Sequence, residues 1–398
     1  MGGLLRQKKT SRRDWESVIR DSMWSVSQMR EELNYAIYLS YEDLHACLKS
    51  CFLYYSILPK GTLCYAENIV GMWITEGFVH GTSRDLEELG REYYDELIQR
   101  NLIEPDSLYI DQRVCNMHDV VRSFAQYVAR NEALLAQHSE IGISNKFNSQ
   151  KFIRLSLLEI GGSESSELEW CSLQAQTLLR TLISVGHIKI KSGDSLLAFS
   201  NLRTLHVEEA NFDKLMKFLQ YISLVGCRSL SKLPASISKL QQLRCLNLSG
   251  TSIKYIHRGF SGLTSLRKLS GFPADMDGDR CSLEELGLLS HLMQLWISGL
   301  ENVSSSSFAT KARLDEKVRL TYLKLGCTMR LGDVGQLVNG ERGISEKVQL
   351  VNQGEHLEIS GYFGQQLPRW MMSTAPLGSL RILLMDNLAF CTELPNGL

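Results

Sequence analysis

Leu243-Arg244-Cys245-Leu246-Asn247-Leu248-Ser249-Gly250-Thr251 carries leucines at the spacing L-x-x-L-x-L and ends in small polar residues where the chain turns back. The unit recurs 23 residues later at Leu266/Leu269, and Leu219/Ile222/Leu224 precedes it by 24. The same spacing appears at Phe152/Leu155/Leu157, Leu179/Leu182, Leu202/Leu205/Val207, Leu292/Leu295/Ile297, Leu320/Leu323/Leu325 and Leu380/Leu383/Met385, with Leu357/Ile359 as a further unit. Each short strand puts alternate leucines on one face, and one coil cannot bury them alone. Stacked coils can, so residues 151–398 are expected to form a parallel-stranded solenoid with one continuous core.

This is the pattern of a leucine-rich repeat, an α/β horseshoe. Three places depart from it. Leu202 to Leu219 is only 17 residues, segments 270–285 and 301–317 are polar insertions expected as surface loops, and the chain stops after Leu394-Pro395 without a polar cap. Fraying or association is expected at that open end. Residues between the buried leucines face the concave side, where such solenoids bind proteins. The candidates are Arg203, Thr204, His206, Arg244, Cys245, Asn247, Gln294, Trp296, Tyr322, Lys324, Arg381 and Leu384. Trp296 and Tyr322 stand out because exposed aromatics are enriched at binding hot spots.

The N-terminal third has a different period. Residues 1–34 begin with a basic run followed by Trp15, Val18, Ile19, Ser22, Trp24 and Met29 at helical spacing. Ser40 with Asp43 is a capping signal before an apolar stripe at Leu44, Cys47, Leu48, Cys51, Phe52 and Tyr55 that Pro59 stops. A second stripe carries Ile69, Met72 and Trp73, and a third carries Leu86, Leu89, Tyr93 and Leu97. Leu108-Tyr109-Ile110 and Val114-Cys115-Asn116-Met117, parted by Asp111-Gln112-Arg113, predict a hairpin. It leads into His118-Asp119 and a last helix with Val120, Val121, Phe124, Ala125 and Val128 inward. Helices, then a hairpin, then a helix is the order of a winged helix over 35–130, an α+β module, with 131–150 as a connector.

Charge separates this module from DNA-binding winged helices. Ala36–Arg130 holds eight basic against fourteen acidic side chains, and phosphate neutralisation needs the opposite sign. The whole chain has a net charge of -1, so no global field draws it to nucleic acid or an anionic membrane. Ten cysteines scattered without a CxxC pair fit reduced thiols in a cytoplasmic or nucleocytoplasmic protein, and no stretch is apolar and long enough to span a membrane. Cys47 and Cys51, with His45 nearby, lie at helical spacing on a core face and read as packed thiols, not a metal site.

Four ordered motifs carry a resemblance. They are Leu39-Ser40-Tyr41-Glu42-Asp43-Leu44, Leu48-Lys49-Ser50-Cys51-Phe52-Leu53-Tyr54-Tyr55-Ser56-Ile57-Leu58-Pro59-Lys60, Trp73-Ile74-Thr75-Glu76-Gly77-Phe78-Val79 and Met117-His118-Asp119. Together with Gly361-Tyr362-Phe363-Gly364, Leu367-Pro368 and Trp370-Met371, they resemble plant disease-resistance proteins of the nucleotide-binding, leucine-rich-repeat class. The resemblance implies that residues 1–34 join an earlier module to the winged helix and that Met117, His118 and Asp119 are regulatory. It further implies that His118 contacts the phosphate of ADP in the off state, and that the repeats recognise a pathogen effector or a guarded host protein.

The chemistry of His118 is consistent with that role, since free N–H groups and the positive dipole end at a helix start favour an anion. Asp119 would repel phosphate and is expected to brace the loop or cap the helix. A nucleotide switch also needs a loop ending in Gly-Lys-Ser or Gly-Lys-Thr, and no Gly-Lys dipeptide occurs. The chain is therefore expected to be truncated relative to the family, to carry no catalytic residues or metal, and to hold no cofactor on its own, although the full-length family binds ADP or ATP. Its partners would be a protein ligand or a full-length relative in trans. A non-immune repeat scaffold and an inactive remnant remain the alternative readings.

Overall fold

Asp43 and Leu44 break the first helical run in two. The computed structural model describes residues 35–60, 64–81, 84–108, 112–137, 143–158, 173–186, 198–208, 215–274, 280–303, 311–327, 355–361, 380–388 and 391. It places α1 at Tyr35–Glu42 and α2 at Ala46–Tyr55. The cap of α2 is His45, whose Nδ1 accepts from the Leu48 N–H at 3.3 Å. Ser40 is instead buried within α1, and Asp43 pairs with Arg100 at 2.9 Å, so the expected Ser40/Asp43 cap does not form.

Contacts divide the chain into two compact units, Met1–Ile188 with Ala198–Thr204, and Lys189–Leu197 with Leu205–Leu398. In the first, α3 (Ala66–Glu76) stops at Gly77, whose φ of +86° is cheap only for glycine, and α4 (Leu86–Gln99) starts on an Asp85 cap. Gly90, Tyr94 and Leu97 are the buried face of α4, not the expected Leu86, Leu89 and Tyr93, which stay half-buried. The reason is close approach: a Cβ on Gly90 would lie 2.4 Å from Val70 Cγ1 of α3.

The hairpin pairs β1 (Glu104–Pro105) with β2 (Cys115–Asn116) in antiparallel register. The expected first strand was Leu108-Tyr109-Ile110, but Leu108 lies in a turn and is 84% exposed, while Tyr109 and Ile110 lie outside the described residues. Then α5 (Asp119–Ala129) buries Val121, Phe124, Ala125 and Ala129, while Val120, expected inward, faces solvent. Phe124 meets Phe52 and Tyr41, with ring centroids 6.4 and 5.5 Å apart, and this aromatic cluster joins the last helix to α1 and α2.

Parallel strands begin earlier than expected. Strand β3 (Ala133–Gln137) falls in the presumed connector and pairs with β4 (Arg154–Leu158), which pairs with β5 (Thr181–Val185); α6 (Ile143–Ser149) lies between β3 and β4 in sequence. Buried polar groups tie these coils to the helices within the first unit. Glu76, at the end of α3, meets Arg154 Nε at 3.2 Å and accepts from Thr181 Oγ1 at 2.6 Å. Thr75 and Thr204 hydroxyls lie 2.8 Å apart.

The chain enters the second unit within β6 (Thr204–Val207). There β7 (Tyr221–Ser223), β8 (Cys245–Asn247), β9 (Lys268–Pro273), β10 (Gln294–Ser298), β11 (Tyr322–Gly326), β12 (His356–Ser360) and β13 (Ile382–Asp386) pair in parallel, each with the next. Leucines lead inward as expected: Leu246, Leu269, Leu295, Leu323 and Leu357 are buried in consecutive strands.

Among the described residues the return paths carry short 3-10 helices at Ala235–Lys239, Phe260–Gly262, Leu283–Leu288, Leu300–Asn302 and Leu314–Glu316. The two expected surface loops are corrected accordingly. Segment 270–285 contains the end of β9 and the buried Cys281 and Leu283, and 301–317 contains the buried Ala312, Leu314 and Lys317. Residues 275–279 and 304–310 lie outside the described residues, as do 1–34, 362–370 and Leu394-Pro395.

Candidate regulatory corner and recognition face

The corner around His118 is assembled by backbone carbonyls that α2 leaves open. After α2 ends at Tyr55, Arg122 Nη1 of α5 donates to the Leu58 carbonyl at 2.6 Å, and Gln126 Nε2 donates to the Ser56 carbonyl at 3.1 Å. These bonds seat the turn before Pro59-Lys60 against the last helix. Tyr55 Oη donates to the Cys115 carbonyl and steadies the strand that feeds Met117. Met117 is buried, while His118 and Asp119 are exposed at the head of α5.

His118 is the N-cap of that helix, and its Nδ1 accepts from the Val120 N–H at 3.3 Å. Accepting at Nδ1 places the proton of the neutral ring on Nε2, so the exposed edge of the ring is a donor. Lys60 Nζ lies 2.8 Å from Asp119 Oδ2, and this ammonium holds the Asp119 carboxyl below its ordinary range. Asp119 therefore braces the corner and His118 caps the helix. Lys60 was not singled out from the sequence, although it follows Pro59 directly in a quoted motif. Nothing local in that motif reveals a partner 59 positions away.

The concave row is built by strand register. Gln294, Tyr322, His356 and Ile382 are successive partners across β10 to β13, and Trp296, Lys324, Glu358 and Leu384 form the next row. In β10, β11 and β12 these residues alternate with buried leucines and isoleucines. Lys324 Nζ sits 4.3 Å from the Trp296 ring centroid and pairs with Glu358, while Tyr322 Oη donates to Glu358 at 2.8 Å and its ring lies 4.6 Å from that of His356. One carboxylate thus holds both Lys324 and Tyr322, and Lys324 in turn covers Trp296. Glu358 and His356 escaped the sequence reading because only the register places them beside Tyr322 and Lys324.

The other expected contacts differ. Arg244, Asn247 and Gln294 are half-buried, and Asn247 Oδ1 is engaged by the Ser249 N–H and hydroxyl. Arg203 belongs to the first unit, where its Nη1 donates to the Thr75 carbonyl at 3.3 Å. Thr204 and Cys245, expected on the open face, are buried. His206 is half-buried, and burial pushes its imidazole down to about 4. Leu384 is exposed on the last described strand and Arg381 is exposed immediately before it.

Helices, hairpin, helix and parallel leucine coils together define a winged-helix, leucine-rich-repeat protein. The family model for the disease resistance protein winged helix domain matches residues 57–125, and that for R13L1/DRL21 leucine-rich repeats matches 283–398. Disease resistance RPP13-like protein 1 of Arabidopsis thaliana is 30% identical over 459 residues, covering 100% of this chain and 41% of that protein. Disease resistance protein RGA1 of Solanum bulbocastanum is 28% identical, covering 99% of this chain and 40% of that protein. A leucine-rich-repeat protein of Leptospira interrogans superposes with a TM-score of 0.39 at 15% identity over 60% of each chain.

The chain belongs to the plant nucleotide-binding, leucine-rich-repeat disease-resistance proteins, and it matches their winged-helix and repeat part. It spans well under half the length of these relatives. Those relatives are named for disease resistance and not for an enzyme activity. No helix among the described residues is long and apolar enough to cross a membrane.

Proposed function

We propose that this chain acts in plant defence, with the repeats recognising a pathogen effector or a guarded host protein in the cytoplasm and the winged helix regulating a nucleotide switch. The observation that carries the reading is the ordered row Trp296, Lys324 and Glu358 with Tyr322 beside it, since pre-ordered aromatic and charged side chains lose little entropy on binding. His118 supports the switch half. Its exposed ring edge donates from the positive end of α5, and it fits one side of a phosphate. ADP would supply the negative charge that this corner holds; the chain's own contribution is the Nε2 donor, with Lys60 held aside by Asp119.

Cross-linking of the full chain in infected leaf tissue, followed by mass spectrometry, tests the recognition half. A Trp296→Ala/Lys324→Ala variant is expected to lose proteins captured by the unaltered chain, while Leu288→Ser, at a 63% exposed site away from the strands, keeps them. An unchanged set of captured proteins in the double variant would overturn the assignment of this row. For the switch half, His118→Ala in a chain joined to a relative's nucleotide-binding core should weaken ADP binding by calorimetry; equal affinity would remove His118 from the site.

A further inference from the structure

Cys47 stands in the first turn of α2, two residues after the His45 cap, and keeps part of its surface accessible. Its Sγ lies 3.9 Å from Nε2 of His80, a residue 33 positions away. The other ring nitrogen of His80, Nδ1, is 3.3 Å from the Gly77 carbonyl oxygen. A carbonyl only accepts, so this contact puts the proton of the neutral ring on Nδ1 and leaves Nε2 bare toward the sulfur. A nucleophile, a base and a group that orients the base are thereby in place. The N-terminal end of a ten-residue helix adds a positive partial charge beside the sulfur.

The surroundings separate Cys47 from the other thiols. The Tyr93 hydroxyl contacts Cys47, and the His45 ring packs edge-on against Tyr93 at 5.0 Å. Glu96 acts on Tyr93, and Lys49, on the next turn of α2, is paired with Glu42 at 2.9 Å. Cys51, Cys64, Cys115, Cys227, Cys245 and Cys281 are buried. Burial pushes the Cys245 thiol up to about 11, and burial with Glu301 pushes the half-buried Cys327 up to about 12. Cys391, like Cys327 a partly accessible thiol among the described residues, serves as an internal reference.

We propose that Cys47 is a reactive thiol activated by His80 and a site of covalent modification by small soft electrophiles. With iodoacetamide as the probe, the thiol proton passes from Sγ to His80 Nε2 and a sulfur lone pair attacks the methylene carbon. The carbon–iodine bond breaks, iodide leaves with the bonding pair, and a thioether and an imidazolium remain; the imidazolium returns its proton to water.

The test uses the full chain with limiting iodoacetamide at pH 7 and reads each cysteine by peptide mass spectrometry. Cys47 is expected to react about tenfold faster than Cys391, a modest share of what a positioned general base contributes. His80→Gln is expected to slow Cys47 by a similar factor. Steric gating predicts the reverse, because loss of the ring uncovers the sulfur. A rate at Cys47 no greater than at Cys391, or a rate unchanged or raised in His80→Gln, would overturn the proposal. The comparison of Cys47 with Cys391 in the unaltered chain needs no variant, so it tests the dyad whether or not His80→Gln folds.

Discussion

The carboxylate of Glu76, whose side chain has no exposed surface, meets the guanidinium of Arg154 at 3.2 Å, joining the last turn of α3 to strand β4 inside one compact unit. Arg154 also reaches Glu132 at 3.3 Å and stacks 4.9 Å from the Phe78 centroid. Removing one member of a buried pair leaves the other uncompensated, at a cost of about 3 kcal/mol or more. Glu76→Ala should lower the denaturant midpoint accordingly, and a Glu76→Met/Arg154→Met double variant should recover most of the loss. Additive losses in the two single variants and the double would mean that the pair is not coupled.

Lys317 occupies a leucine position. Leu240, Leu263 and Leu289 close three of the preceding 3-10 turns, and Lys317 closes the turn Leu314–Glu316 in the same way. Its ammonium donates to the Leu286 and Leu289 carbonyls at 2.6 and 3.1 Å, and burial pushes it down to about 8. The unfolded chain keeps this proton up to the ordinary value near 10.5, so between about 8 and 10.5 the unfolded state binds more protons. Stability should therefore rise with pH across that window by up to roughly 3 kcal/mol, and Lys317→Met should abolish the rise. Identical pH–stability curves for the two proteins would exclude Lys317 as the source.

His206 has the same sign at lower pH. Its folded value near 4 lies below the ordinary 6.5, so its contribution is whole above 6.5 and is lost as the pH falls toward 4. The residue as a whole is only half-buried, which discounts the loss to about 1–2 kcal/mol. His206→Gln should flatten the acid limb of a thermal melting series between pH 6.5 and 4; an unaltered limb would show that the ring takes up its proton in the fold.

Gly90→Ala tests the seam between α3 and α4. Alanine gains about 1 kcal/mol of helix propensity, but its Cβ would press on the stiff Val70, 2.4 Å away, and overpacking of this kind costs about 1–3 kcal/mol. A net loss in melting temperature is expected, with Val70→Ala restoring it in the double variant. A single variant more stable than the original would show that the helices part without cost.

Period decided most of what was legible. The leucine spacing located the strands from β4 onward, and the 3.6-residue stripes located α2, α3, α4 and α5 but neither α1 nor α6. Phase was less secure: α4 turned Tyr94 inward instead of Tyr93 because Gly90 opens that face to Val70, a fact held in the partner helix. The hairpin shifted from Leu108 to Glu104–Pro105 because two-residue strands carry too few alternating positions to declare a register.

The sequence by itself determined the repeat, the motif order and the family, because these depend on residue types at spacings along one chain. It also located His118 at a helix start, since caps act within three or four residues. Only the tertiary structure decided which side chains meet: Lys60 with Asp119, Glu76 with Arg154, Cys47 with His80, and Lys324 with Trp296 and Glu358. Each pair joins segments that only the fold brings together, where contact depends on register and close approach and leaves no periodic trace.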